Sequence, residues 1–520
     1  MVDIHTSLYN FMRAYRVKDL KTKALIRGAH SMTYARFFKE IDKVAGGLFK
    51  MGVRKGDVVM LALPNLEQSV IATYACSRIG AIASMIHPKL SSDEFESAVL
   101  KLQPKAVFLS EINFKAYYSR CHGAKRVLCP FAFYAYIGLP CSKKFDAYQG
   151  DGEEIMFYMQ SGGTIGEPKT VAISSRCANA MARNLLASLD DRFDSHNAML
   201  VVLPMFHGYG LCVGIQAAIC TDMHVVLQAV FNAKRTTRII KKQGVTTMLA
   251  VPRMVQKLLD CDEFHGKGIS KIEDVFVGGD TVDKELVRRF DERMRECGGN
   301  GKLSAGYGLT ETASVCTVTN ADYVGGSVGK PLKNVSVRIV DDDLNELPAG
   351  EVGELLVGGE QIMSGYVGDE EATKKAIVEL DGVKWVRTGD YFRQDEQGRL
   401  FFMGRKKRLI KISGINVFPT EIEKVVRELP FIDECACIEY RINGKPYIKV
   451  LVEGEISDAQ KQAVINHVAK RMSHWNTPRC VECVKEFPRT KIAKIDIEGL
   501  KNEFGKDTQS SQQDCSVRQS

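Results

Sequence analysis

Short apolar runs recur along this chain, separated by stretches of helical period, and this alternation restricts the fold more than any other feature. The runs Ala198-Met199-Leu200-Val201-Val202-Leu203, His224-Val225-Val226-Leu227 and Thr246-Thr247-Met248-Leu249-Ala250-Val251 have helix-like sequence between them. Earlier, residues 34–51 carry apolar side chains at helical spacing, 57–63 read as a buried strand, and 66–80 as another helix. Strands that are apolar on both faces and joined by helices assemble into parallel sheets covered on each side, so the expected class is α/β. From about Gly329 the texture changes. Residues 335–340 and 353–357 flank a turn at Pro348-Ala349-Gly350, which predicts antiparallel hairpins in a β-barrel-like subdomain. After the basic run Arg405-Lys406-Lys407-Arg408 comes an α+β unit of about a hundred residues. The expected division is a large N-terminal domain over 1–404, a small mobile α+β domain over 405–505, and a Gln/Ser-rich tail over 506–520 expected to be disordered. No internal repeat is visible.

The chain has 520 residues, more than one ordinary domain holds. With 45% hydrophobic and 26% charged residues it is a globular sequence, which excludes a disordered, collagenous or coiled-coil architecture. The net charge of +8 is spread along the chain, without the clustered Lys and Arg of a nucleic-acid footprint, and suits an anionic small molecule. Fifteen cysteines, an odd number in a long chain, read as reduced thiols and a cytoplasmic location. The N-terminus shows no signal peptide. Residues 198–220 carry no Asp, Glu, Lys or Arg, yet Pro204, His207, Gly208, Gly210 and Gln216 interrupt them. A buried strand, a loop and a core helix account for that stretch better than a transmembrane span. Cys435, Cys437, Cys480 and Cys483 could suggest zinc, but both segments read as strands, and Cys480 and Cys483 would then face opposite ways. No H-x-x-x-H spacing occurs.

The most informative segment is Tyr158-Met159-Gln160-Ser161-Gly162-Gly163-Thr164-Ile165-Gly166-Glu167-Pro168-Lys169. Small residues let backbone N–H groups approach a polyanion, Ser161 and Thr164 add hydroxyl donors, and Lys169 adds charge. It is not the G-x-x-x-x-G-K-[ST] loop, because Pro168 stands where that loop has glycine.

This loop resembles the phosphate-binding signature of the adenylate-forming superfamily, which includes acyl- and aryl-CoA ligases, beetle luciferases and adenylation domains of peptide synthetases. It departs from that signature with Ile165 for a Thr and Thr170 for a Gly. Further segments resemble the family's other motifs in the family's order. They are Gly306-Tyr307-Gly308-Leu309-Thr310-Glu311-Thr312, Arg387-Thr388-Gly389-Asp390, the hinge segment 404–414, and Pro488-Arg489-Thr490-Lys491-Ile492-Ala493-Lys494. The resemblance covers roughly residues 30 to 500.

The resemblance implies ATP-dependent activation of a carboxylic acid to an acyl-adenylate, followed by transfer to a thiol. Ser161, Gly162, Gly163, Thr164, Gly166 and Lys169 would hold the β- and γ-phosphates, and Thr310 the α-phosphate. Glu311 would hold Mg²⁺, a hard cation that takes carboxylate and phosphate oxygens. Asp390 would accept from both ribose hydroxyls, Arg405 would contact the nucleotide, and Tyr307 with the turn at Gly278-Gly279-Asp280 would line the adenine slot. Lys494 would be the electrostatic catalyst of adenylation, although Ala493 stands where the family usually has Gly. Lys407 occupies the hinge position, about which the small domain would rotate to withdraw Lys494 and bring Lys411 and Gly414 toward the second half-reaction.

Pro204-Met205-Phe206-His207-Gly208 resembles the segment that opens the family's acyl pocket, where His207 replaces the Asp of amino-acid-activating members. Gly208 and Gly210 would leave room in that pocket. The segment 413–419 resembles that of fatty-acyl and aryl-CoA ligases, so CoA is the favoured acceptor. Three readings stand: a fatty- or aryl-acid–CoA ligase, a stand-alone adenylation enzyme loading an acyl carrier protein, and a non-catalytic nucleotide- or acyl-binding relative.

Overall fold

The computed structural model describes residues 2–15, 19–129, 147–161, 169–320, 323–412, 415–489 and 495–505. The apolar runs form two large sheets. In the first, nine strands lie in the order Lys330–Pro331, Ser314–Val318, Lys302–Leu309, Asp274–Val277, Thr247–Ala250, Ala198–Val201, His224–Leu227, Lys23–Arg27 and His30–Thr33. The six from Lys302–Leu309 to Lys23–Arg27 are mutually parallel. The second sheet has seven strands, with Gly365–Tyr366 and Thr170–Ser174 antiparallel at one edge and parallel strands from Ile155–Gln160 to Lys125–Cys129. Strands such as Ala106–Ser110, buried at every position, explain why their sequences do not alternate.

Helix boundaries follow local chemistry. Tyr34–Lys50 begins where the Thr33 hydroxyl accepts from the Arg36 N–H, and Phe37, Ile41, Val44 and Leu48 form its buried stripe. Ser91 and Glu94 cap Ser92–Leu102 reciprocally. Ala233–Gln243 starts at Asn232 and stops at Gly244.

The stretch 198–220 folds as a strand, a turn and a buried helix, but most of that helix, Tyr209–Ala217, has π rather than α hydrogen bonding. No helix among the described residues is long and apolar enough to cross a membrane. After Gly329, five antiparallel strands form a separate sheet, with Ser336–Val340, Val352–Gly358, Val383–Gln394 and Ile377–Leu380 in order and Leu400–Arg405 paired to Val383–Gln394.

The C-terminal α+β unit has its own core. The hairpin Cys435–Ile442 and Lys445–Glu453, with Cys480–Val484 parallel to its second strand, packs against the helices Pro419–Val426 and Asp458–Arg471 on one face and Ile497–Phe504 on the other. Alternation puts Cys435 and Cys437 into the first core and Ala436 into the second. Burial pushes the Cys435 thiol up to about 12, so it packs as a neutral hydrophobe. The described cysteines are all free thiols.

Candidate active site

The strand Lys302–Leu309 delivers Tyr307 to the edge where the parallel sheet meets the antiparallel one. Its ring packs on Phe392 and Phe402, and its hydroxyl donates to Asp390 Oδ2 at 2.7 Å. Asp390 is 3% exposed and lies opposite Arg405 in the ladder, with Arg405 Nε 3.6 Å from Asp390 Oδ1. Burial, and then the neighbouring Asp390 charge, hold the Tyr307 phenol protonated well above its usual range. The preceding Gly389 has φ +67°, so the T-G-D turn uses the left-handed region that glycine enters without strain. Gly278 and Gly279 follow the strand Asp274–Val277, and a Cβ at Gly278 would sit 3.3 Å from Gly306 O and 3.5 Å from the Tyr209 ring. The structure therefore brings together the 278–280 turn, Gly306-Tyr307, Asp390 and Arg405.

A second group forms beside it. Lys169 leaves the hairpin between Ile155–Gln160 and Thr170–Ser174, whose loop is pinned by Ser161 N–H to Lys169 O (2.8 Å) and Lys169 N–H to Ser161 Oγ (3.1 Å). The Lys169 ammonium lies 4.7 Å from the centre of the Tyr366 ring, and the Tyr366 hydroxyl donates to Glu311 Oε1 at 2.9 Å. Burial and the Glu311 charge raise the Tyr366 phenol, keeping it a donor. Thr310 and Glu311 begin a short 3₁₀ turn that ends at Ala313, a buried residue at φ +59°. Such backbone strain in a non-glycine residue collects at functional sites. Among the described residues no group of three or more His, Cys, Asp or Glu could hold a metal. Glu311 alone fits Mg²⁺ only as an ion takes one or two carboxylates and completes its shell with phosphate and water oxygens.

The acyl segment is held from behind. The Asn65 amide, 2% exposed, donates to Leu203 O at 2.9 Å, and its oxygen accepts from Met205 N–H at 3.0 Å. His87, Phe206 and His207 form a row, with ring centres 4.6 and 4.7 Å apart. His87 Nδ1 accepts from Lys89 N–H, which leaves its proton on Nε2. Gly208 and Gly210 do not open space. A Cβ would come within 2.2 Å of Ala313 O at Gly208 and 2.3 Å of Pro204 O at Gly210. The expected room in the pocket is thus corrected: backbone carbonyls fill those places, and glycine permits close packing of the π-helix.

The basic run is anchored by carboxylates on both sides. Lys406 bonds Asp342 and Glu354, at 2.7 and 3.2 Å. Arg408 reaches Glu423, which also accepts from the Cys437 N–H. Burial alone would raise the Glu354 carboxyl, but Arg387 and Lys406 hold it below its ordinary range. Lys407, between these anchors, is exposed and makes no ion pair among the described residues. Lys411 is exposed on the ladder Ile410–Ile412 with Ile415–Val417. Of the residues expected in the site, Gly162, Gly163, Thr164, Gly166, Gly414 and Lys494 lie outside the described residues, as do Ile165, Ala493 and the tail 506–520. The flanks of 490–494 are closed by the Arg489–Ile495 bridge and by Asp496 N–H to Pro488 O at 2.7 Å. Arg489 meets Glu434 at 2.7 Å, and Glu434 meets Arg253 of the large domain at 3.3 Å.

The family of AMP-binding enzymes matches residues 13–367, and the C-terminal domain of AMP-binding enzymes matches 421–494. The chain belongs to the AMP-binding enzymes. Within this adenylate-forming superfamily it is an AMP-forming acid–thiol ligase. It is 27% identical over 513 residues to a 4-coumarate–CoA ligase of Humulus lupulus, covering 94% of this chain and 91% of that one. It is 28% identical over 484 residues to an indoleacetate–CoA ligase of Aromatoleum aromaticum, covering 89% and 91%. The fold matches the anthranilate CoA ligase AuaEII in complex with anthranoyl-AMP, with a TM-score of 0.85, 22% identity and 97% and 98% coverage. It also matches O-succinylbenzoate Coenzyme A synthetase of Bacillus subtilis with ATP and magnesium, with a TM-score of 0.81, 24% identity and 95% and 99% coverage.

Sequence reasoning missed Tyr366, Asn65, His87 and Ala313. Tyr366 carries one local signal, an aromatic after Gly365 in a short strand, but its two partners belong to other motifs. The remaining three have no signal short of the fold.

Proposed function

We propose that this AMP-binding enzyme joins an aryl carboxylic acid to CoA in two steps. The carboxylate attacks the α-phosphorus of ATP, a new C–O–P bond forms, and the bond to the bridging oxygen of pyrophosphate breaks. The CoA thiol, losing its proton, then attacks the acyl carbon and AMP departs. The observation that carries this reading is the Lys169–Tyr366–Glu311 group set beside the Tyr307–Asp390–Arg405 group. One supplies charge for a polyphosphate and the other a buried carboxylate for ribose hydroxyls. Phosphoryl chemistry needs this positioning more than it needs covalent help.

In this reading Ser161 and Lys169, with the loop between them, hold the β- and γ-phosphates, and Thr310 holds the α-phosphate. Glu311 would hold Mg²⁺, which when bound would supply neutralising charge to the phosphates. Tyr366 orients Glu311, and Tyr307 orients Asp390. Lys494 stabilises charge at the α-phosphate during adenylation. Rotation about Lys407 then exchanges Lys494 for Lys411 and Gly414. The domain division near residue 405 belongs to the same proposal. It is supported by the anchors on either side, Lys406 to the antiparallel sheet and Arg408 to the C-terminal unit.

An aryl acid is favoured over a fatty acid for two reasons. The relatives reported above are ligases of coumarate and indoleacetate by name. The acyl segment here presents a row of three rings, His87, Phe206 and His207, successive planes tilted by 56° and 53°, with Tyr209 following. The test is pyrophosphate release with ATP and Mg²⁺ across aryl acids and short to long fatty acids, each with and without CoA. CoA-dependent turnover with aryl thioester is the expected result. Turnover confined to fatty acids, or adenylate without thioester, refutes it.

A further inference from the structure

The strand Val383–Gln394 breaks register with Val352–Gly358 at the T-G-D segment. Arg387 lies opposite Leu356 and Tyr391 opposite Glu354, so Thr388, Gly389 and Asp390 face Leu355 alone. A bulge of this kind gives up ladder hydrogen bonds and re-aims the side chains it carries. Side chains here replace the lost bonds. Gly389 N–H donates to Glu354 Oε1 at 3.3 Å. The Thr388 hydroxyl donates to Leu355 O at 2.8 Å and accepts from Asp390 N–H at 3.1 Å.

Glu354, 3% exposed, holds more than the bulge. Its Oε1 also accepts from Arg387 Nε at 3.2 Å, and its Oε2 accepts from Arg387 Nη2 at 2.6 Å and from Lys406 Nζ at 3.2 Å. Arg387 is on the arm that leads into the bulge. Lys406 follows Arg405, which pairs with Asp390 in the neighbouring ladder. A single buried carboxylate therefore touches the arm, the bulge and the segment that presents Arg405. Nothing in the catalytic reading uses it.

Stabilising the fold would need only the two cations around this carboxylate. The third bond, to an N–H inside the bulge, sits directly before Asp390 and fixes where that side chain points. We propose that Glu354 is a positioning residue, which holds the T-G-D bulge and the Arg405 segment in one register so that Asp390 meets the ribose hydroxyls. The proposal rests on the reading of Asp390 as the ribose acceptor. Glu354 itself touches no nucleotide and acts through Asp390.

The test is calorimetric titration of the full chain with ATP and with 2′,3′-dideoxy-ATP, each with Mg²⁺. The proteins are wild type, Glu354→Gln, Asp390→Asn and the double variant. Glu354→Gln should weaken ATP at least ~3-fold and leave the dideoxynucleotide unchanged, because only the ribose hydroxyls report on Asp390. In the Asp390→Asn background the same change should add nothing. Hydrogen exchange of Glu354→Gln should quicken at residues 388–390 and not along Ser336–Val340 or Ile377–Leu380. Where Glu354→Gln does not fold, Lys406→Met removes one partner at a side chain 35% exposed. It should weaken ATP selectively as well, and Lys406→Arg should restore binding. Equal weakening of both nucleotides, unchanged ATP affinity beside a weakened Asp390→Asn, or losses that add in the double variant would overturn the proposal. If Asp390→Asn binds ATP as the wild type does, the ribose reading falls and exchange decides: quickening confined to 388–390 upholds Glu354 as the residue that positions the bulge, and quickening throughout the sheet overturns it.

Discussion

Replacing Arg253 by Ala should slow adenylation while sparing the thioester step. Arg253 stands on the helix Pro252–Leu259 of the large domain and meets Glu434 of the C-terminal unit at 3.3 Å, with side chains 54% and 27% exposed. Glu434 also takes Arg489 at 2.7 Å, at the base of the loop proposed to carry the catalytic Lys494. One carboxylate thus connects the large domain to that loop in the orientation seen here. A pair this exposed contributes about 0.2–1 kcal/mol, because solvent screening and side-chain ordering offset most of the attraction. That is about 1.4- to 5-fold in the population of this orientation. Pyrophosphate exchange should fall by that factor at low salt in Arg253→Ala, whereas transfer from preformed acyl-adenylate to CoA should not. The deficit should shrink as salt rises, since the screening length drops from ~10 Å at 0.1 M to ~3 Å at 1 M. A double-mutant cycle with Glu434→Gln isolates the pair. Strictly additive losses, or equal slowing of both half-reactions, would refute the latch.

Asp390→Asn should raise the KM for ATP about 10-fold and leave that for the acid unchanged, because ribose hydroxyls would lose a charge-assisted acceptor; steady-state kinetics varying each substrate checks it. Gly210→Ala should destabilise by about 1–3 kcal/mol or more in urea denaturation, since its Cβ would lie 2.3 Å from Pro204 O in a filled core. Glu354 is held below the ordinary carboxylate range, so its pairs with Arg387 and Lys406 stabilise the fold fully above about pH 4.3 and lose that contribution as pH falls through the lower folded value. The difference in Tm between wild type and Glu354→Gln should therefore be steady from pH 7 to about 5 and shrink below about 4.

Much of the scaffold was legible because it depends on local periodicity. The buried strands at 58–61, 198–201, 224–227 and 247–250, and the helices at 34–50 and 67–78, lie where apolar spacing put them, with ends trimmed by a few residues. The change at Gly329 likewise precedes the separate five-stranded antiparallel sheet, although Lys302–Leu309 and Ser314–Val318 already pair antiparallel before it. The site was legible where a motif is contiguous, as in Tyr307-Gly308-Leu309-Thr310-Glu311. The reading of Gly208 and Gly210 went astray because a missing side chain does not say whether a ligand or a backbone carbonyl occupies its place. The partners of the basic run at 405–408, Asp342, Glu354 and Glu423, are likewise remote in sequence and could not be read from it.

By itself the sequence determined the class of sheet, the order of the motifs and the chemical type of each group in them, since all three are written in neighbouring residues. Tertiary structure alone decided which groups meet. The Tyr366–Glu311 bond spans 55 residues, Tyr307–Asp390 spans 83, and Asn65–Met205 spans 140. Such pairings follow from sheet order and strand register, which bring distant segments within a hydrogen bond of each other and leave no trace in the spacing along the chain.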